Sequence, residues 1–228
     1  MSHETIGAPL TRRRCLAFLS ALVAAPASRW AGAHDVPAAP VPGFELPIPR
    51  DLKPFALRDH RGGAFDNASL NGRWTFLFFG YTHCTDICPT TLLQLRQVRR
   101  TLTDRHHVDT VPVFVTIDPA RDTRERLAAY ATRFGDGLVA VGGTTEAIRA
   151  FSAQFHVRYT KRSGAADARH YDIDHTSTVT LLGPDGKLYA VFMLPLRADG
   201  VADSVARIAA RQSAAQCGRE QHCSEPGA

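Results

Sequence analysis

Phe76-Leu-Phe-Phe-Gly-Tyr-Thr-His-Cys84-Thr-Asp-Ile-Cys88-Pro89 is an apolar run that ends in two cysteines four positions apart, and its reading decides the fold. Trp74 to Phe79 is a short block of aromatic and aliphatic residues, the pattern of a central strand covered on both faces. Gly80 closes it. Pro89 suits the first turn of a helix, where a missing N–H costs nothing, and Leu92, Leu95 and Leu102 follow at helical spacing. The stretch therefore predicts a buried strand delivering two thiols to a helix, with Cys84 in the loop and Cys88 at the helix N-terminus. Unpaired N–H groups and the positive dipole end favour thiolate there, so both sulfurs are expected to be reactive and good metal ligands. Two buried structural cysteines or an inert disulfide are the plainer alternative.

Downstream of the cysteine helix, Val111 to Ile117 reads as a second buried strand with Pro112 near its start, closed by Asp118-Pro119. Asp122 followed by Glu125 has the spacing of a capping box, and Leu127, Tyr130 and Phe134 give the next helix one apolar face before Gly135. Leu138 to Val141 reads as a short strand, and Ile148, Phe151 and Phe155 mark another helix. Arg158 to Asp174 is polar and irregular, an inserted loop or loose hairpin. Strands at Ser177 to Leu182 and Leu188 to Met193 flank the turn Gly183-Pro-Asp-Gly186, and a last helix carries Val201, Val205 and Ile208. Upstream, Pro54 to Leu70 has the look of a short hairpin turning at Gly62-Gly63. This element order is that of a thioredoxin-like α/β domain over residues 54–212. Its expected form is a central mixed sheet flanked by helices, with an inserted loop before the C-terminal hairpin.

The first 33 residues have the organisation of an export signal. Thr11-Arg12-Arg13-Arg14 is basic, Cys15 to Ala25 is an apolar core, and Ala31-Gly32-Ala33 is a small-residue cleavage site. The paired arginines resemble a twin-arginine signal, with a Sec signal as the alternative. Residues 34–53 contain Pro37, Pro40, Pro42, Pro47 and Pro49 and read as an extended, semi-rigid linker outside the core. The expected location is periplasmic, with membrane tethering if the leader is retained. Without the leader the chain carries 23 basic and 21 acidic residues, which is no nucleic-acid signature.

Functional residues of open α/β sheets collect at the carboxyl ends of the parallel strands. Cys84 and Asp118 both lie just past such ends, and His175, entering the antiparallel hairpin, reaches the same edge. Two thiolates and one imidazole are soft enough for Cu(I) and suit Cu(II) through the histidine, and zinc is a further possibility. His83 is a rival ligand, ranked lower because a neighbour of Cys84 normally points away from it.

At these residues the chain resembles the SCO/SenC family of copper chaperones, thioredoxin-like proteins that help assemble the dinuclear copper centre of cytochrome c oxidase. Three motifs carry the resemblance in order. They are Phe79-Gly-Tyr-Thr-His-Cys84-Thr-Asp-Ile-Cys88-Pro89, Val115-Thr-Ile-Asp118-Pro119-Ala-Arg-Asp122-Thr123 and Tyr171-Asp-Ile-Asp-His175-Thr-Ser177. The resemblance implies one copper per domain, as Cu(I) or Cu(II), on Cys84, Cys88 and His175, with Asp118 supporting the ligands or the partner contact. A turn or helix-cap role for Asp118 is the alternative. Thr85 and Arg124 stand where the family usually has proline, and neither change removes a ligand.

Residues 213–228 read as a flexible tail in which Cys217, His222 and Cys223 form either a small disulfide loop or an auxiliary metal site. Two functions then compete. One is a metallochaperone that delivers copper to the dinuclear centre of cytochrome c oxidase subunit II or to another copper-accepting protein. The other is a periplasmic thiol-disulfide oxidoreductase, in which Cys84 attacks and Cys88 resolves, served by a thiol reductant, that reduces the acceptor's cysteines before metallation.

Overall fold

The computed structural model describes residues 43–135, 137–162 and 171–220. The leader, the first part of the linker, His222 and Cys223 lie outside the described residues.

The strands are β1 (Gly43–Arg50), β2 (Ala56–Asp59), β3 (Ala64–Asp66), β4 (Trp74–Gly80), β5 (Thr110–Thr116), β6 (Val139–Gly142), β7 (Tyr159–Arg162), β8 (Asp172–His175), β9 (Thr178–Leu182) and β10 (Leu188–Met193). The helices are α1 (Ile87–Thr101), α2 (Arg124–Phe134), α3 (Thr145–Ala153) and α4 (Ala198–Glu220). Eight strands form one mixed sheet in the order β1-β10-β9-β4-β5-β6-β2-β3, and among the described residues β7 and β8 pair only with each other. Parallel pairing joins β4 to β5 and β5 to β6; β9 runs antiparallel to β4.

Every residue of β4 is buried, as its unbroken apolar run predicts. Its side chains alternate between two cores. Phe76 and Phe78 join Phe114 and the buried faces of α1, α2 and α4, whereas Leu77 and Phe79 join Val113, Val115 and the α3 residues Ile148 and Phe151. This two-sided cover makes β4 the rigid base from which the cysteine loop departs. Parallel register sets Gly80 opposite Thr116, so the loops after β4 and β5 leave the sheet at the same edge. The thioredoxin-like α/β architecture expected from the element order is the one observed.

Two boundaries differ from the sequence reading, and one open alternative is resolved. The linker assignment for 34–53 fails from Gly43 onward, because Gly43, Phe44 and Glu45 pair with Phe192, Val191 and Ala190 and make β1 an edge strand. Prolines are tolerated at an edge, and Gly43 is required there, since a Cβ would lie 2.6 Å from the Val191 carbonyl oxygen. The tail assignment for 213–228 also begins too early. Strong helix formers from Ala206 to Gln216 carry α4 on to Glu220. The region 158–174 takes the hairpin alternative, as β7 and β8, with its central residues 163–170 outside the described part.

Candidate metal centre

Gly80 allows α1 to dock directly on the end of β4. A Cβ at this position would stand 2.8 Å from Cys88 Sγ and 2.8 Å from a Phe114 ring carbon. Cys88 is thereby fully buried at the second residue of α1, while Cys84 is partly exposed in the preceding loop. The Cys84 N–H donates to the Tyr81 carbonyl at 3.2 Å, and the Cys88 N–H donates to Cys84 Sγ at 3.4 Å. The helix N-terminus therefore directs one of its unpaired donors at a sulfur, as the sequence predicts.

The two thiols are electrostatically unequal. The Cys88 thiol donates to Cys84 and, against the cost of burial, helps draw the Cys84 pKa down to about 5, with backbone donors and His175 adding to the effect. The same hydrogen bond, burial and the adjacent Cys84 charge push Cys88 well above an ordinary thiol. Of the two, Cys84 is the more acidic and Cys88 the one that keeps its proton longer.

His175 ends β8. Its Nδ1 lies 3.0 Å from the Thr176 carbonyl oxygen and its Nε2 lies 3.8 Å from Cys88 Sγ. A carbonyl can only accept, so Nδ1–H donates to it and Nε2 is the ring nitrogen left facing the sulfur. Tyr81 and Phe78 meet the imidazole edge-on at 6.1 and 6.4 Å between ring centroids. These contacts define the ring plane.

Cys88 is thus the common neighbour of Cys84 and His175. Among the described residues no three His, Cys, Asp or Glu side chains converge as a ready-made metal cage. The donor set nevertheless fits a soft ion. Metal–sulfur and metal–nitrogen bonds of about 2.3 and 2.0 Å meeting at a trigonal angle separate the two ligand atoms by about 3.7 Å. The 3.8 Å between Cys88 Sγ and His175 Nε2 is close to that separation.

His83 does not join the thiols. Arg126 donates to its Nε2, and its Nδ1 lies 3.7 Å from an Asp122 oxygen. Asp118 is buried but faces the β7–β8 hairpin, accepting from Tyr171 Oη at 2.6 Å and from the Arg121 guanidinium. It caps no helix, since the α2 N-cap is Thr123. In the C-terminal helix Cys217 is disulfide-bonded, which withholds its sulfur from metal binding.

The residue missed in the sequence is Asp122. The capping box predicted for it does not form, because Thr123 takes that place and Asp122 turns inward. Its carboxylate accepts from Thr82 N–H at 3.0 Å, Thr82 Oγ1 at 2.6 Å and Thr116 Oγ1 at 2.6 Å. Asp122 therefore ties the cysteine loop to the end of β5. Its place four residues after Asp118 in the second motif was the available signal.

A profile of the SCO1/SenC family matches residues 49–210. The bovine (Bos taurus) protein SCO2 homolog, mitochondrial, is 38% identical over 154 residues, 67% of this chain and 58% of the bovine one. The chain thus spans less than two thirds of that relative's length. A putative copper-binding protein of Stutzerimonas stutzeri is 33% identical over 156 residues, 68% of this chain and 76% of that one. The crystal structure of Arabidopsis thaliana ScoI with copper bound superposes with a TM-score of 0.63 at 31% identity, covering 68% of this chain and 95% of that chain. With the two-cysteine loop, the facing histidine and the thioredoxin-like sheet in place, the chain belongs to the SCO1/SenC family.

Proposed function

We propose that the chain is an exported metallochaperone that carries one copper ion on Cys84, Cys88 and His175 and passes it to a copper-accepting protein. The dinuclear copper centre of cytochrome c oxidase subunit II is the acceptor that the family resemblance favours. The observation that carries the reading is the facing of His175 Nε2 and Cys88 Sγ at 3.8 Å, with Nδ1 already committed to the backbone. Copper is the soft ion that suits two thiolates and an imidazole in both of its common oxidation states. The copper-bound structure of the Arabidopsis relative supports the same choice.

Each ligand has a distinct part. Cys84 supplies a thiolate at neutral pH and is the more exposed of the two cysteines, so an acceptor ligand meets it first. Cys88 surrenders its proton when copper is loaded and holds the ion from the buried side. His175 adds the nitrogen that suits Cu(II). Export accords with the disulfide at Cys217, a bond that persists in oxidising compartments.

The inequality of the two thiols favours a second reading, a thiol-disulfide oxidoreductase. The Cys84 thiolate would attack an acceptor disulfide, releasing one acceptor thiolate. Cys88 would then displace the other, leaving a Cys84–Cys88 disulfide to be reduced by an external dithiol.

Metal analysis of the reduced protein after anaerobic Cu(I) and Cu(II) loading, beside His175→Ala, separates the two. One copper per chain, with Cu(II) retention lost and thiol exchange kept in the variant, is expected. Copper no higher than in a control lacking Cys84 and Cys88 would leave the oxidoreductase as the function.

A further inference from the structure

The hairpin that presents His175 shares no backbone ladder with the main sheet. Among the described residues, the backbone ladder of β7 and β8 pairs them only with each other. Side chains therefore set where β8 stands. Buried Ile173 gives it an apolar contact with the core around Phe79 and Phe155, but such a contact has no direction. One directed contact, long at 3.5 Å, comes from the cysteine loop, where Tyr81 Oη donates to Asp172; the shorter ones come from the loop between β5 and α2. Tyr171, immediately before β8, donates from Oη to the buried Asp118 carboxylate at 2.6 Å. Arg121 donates to the same carboxylate and, through Nη1, to the Tyr171 carbonyl at 2.9 Å. Its guanidinium carbon lies 3.6 Å from the centroid of the Tyr171 ring, and Lys161 Nζ of β7 stands 4.5 Å from that centroid and 4.0 Å from Asp118.

We infer that Asp118, Arg121 and Tyr171 form a latch that positions His175 against Cys88, an inference that rests on the copper-carrying function proposed above. The latch grips Tyr171 by its hydroxyl, its ring and its backbone carbonyl. Gripping one residue at three points fixes rotation as well as position. The grip lies four residues from His175 along a single extended strand, so a change in the pitch of β8 is passed directly to the imidazole. Asp118 and Asp122 divide the work of one loop: Asp122 holds the cysteine side through Thr82, and Asp118 holds the histidine side through Tyr171.

The test uses the reduced, metal-free chain with nitrogen-labelled histidine, comparing wild type with Tyr171→Phe and Arg121→Lys. Tyr171→Phe keeps the ring under Arg121 and removes only the hydroxyl; Arg121→Lys keeps the charge and loses the fork. In both, the Nδ1 proton of His175 should exchange with water about tenfold faster, the effect of losing one hydrogen bond to a charged group. Cys84 alkylation at neutral pH should remain near the wild-type rate, because Asp122 still holds its loop and Cys88, not His175, is the main cause of its acidity. His175→Ala assigns the signal. Unchanged His175 exchange in both variants, or an equal disturbance of Cys84, would overturn the latch. Cu(II) loss should also quicken about tenfold in both variants, with Cu(I) held by the cysteines. A wild-type chain that binds no copper would refute the proposed function and leave the metal-free comparison to decide the latch.

Discussion

The Cys88 thiol and, at 3.4 Å, the Cys88 backbone N–H both donate to Cys84 Sγ, and Cys84 lies at about 5 as a result. Lowering an acid's pKa extends its charged form to lower pH. Alkylation of Cys84 should rise as pH passes through about 5 and be flat by pH 7, where an ordinary thiol is still climbing. Cys88 should stay unlabelled over that range in the folded chain. Peptide mapping after timed iodoacetamide treatment under anaerobic, metal-free conditions reads both sites. A Cys84 profile centred near 8.5 would contradict the arrangement.

Gly80→Ala should displace the cysteine pair. Its Cβ would meet Cys88 Sγ and the Phe114 ring at 2.8 Å, and neither neighbour has free space to retreat into. A loss of about 1–3 kcal/mol in denaturant unfolding is expected for such overpacking, together with a higher Cys84 pKa as the Cys88 donors move. Unaltered alkylation of Cys84 would show that α1 can shift without cost.

Asp122→Asn should loosen the cysteine loop. Three donor groups on Thr82 and Thr116 bond to Asp122, and an amide offers one acceptor oxygen and a donor group that faces donors. The expected cost is about 1–3 kcal/mol, measured by urea unfolding of the reduced chain. Thr82→Val, which deletes one of the donors, should account for part of it.

Truncation after Gln212 should leave copper stoichiometry unchanged. It removes Cys217, whose sulfur is already committed to a disulfide, and leaves Cys84, Cys88 and His175 intact. Copper analysis of the truncated and full chains decides; a lower value in the truncated chain would restore the auxiliary site.

The core and the thiol loop were legible because local rules specify them. The apolar run of β4, the Gly80 stop and the Pro89 start depend on neighbours in sequence, and the parallel sheet then dictates where their chemistry emerges. Asp122 was not legible, because Asp at a helix start with Glu three residues on satisfies the capping pattern; only the tertiary approach of Thr82 and Thr116 shows the inward turn. Nor was the Asp118–Tyr171 contact, which joins residues 53 positions apart across two loops. The linker and tail boundaries failed for the opposite reason. Pro47 and Pro49 discourage a strand locally, yet an edge position overrides that preference, and a polar composition concealed helix propensity beyond Gln212.

Strand β1 also limits growth of the sheet. Pro47 and Pro49 have no N–H to offer a neighbour, and the β1 register slips between Glu45 and Arg50. At the far border, β3 is only three residues long. Neither rim supplies a flat, continuous row of donors and acceptors on which another chain could template itself. The sheet is therefore self-terminating at both ends, at β3 by the shortness of the strand and at β1 by the prolines of the stretch that leads into the domain.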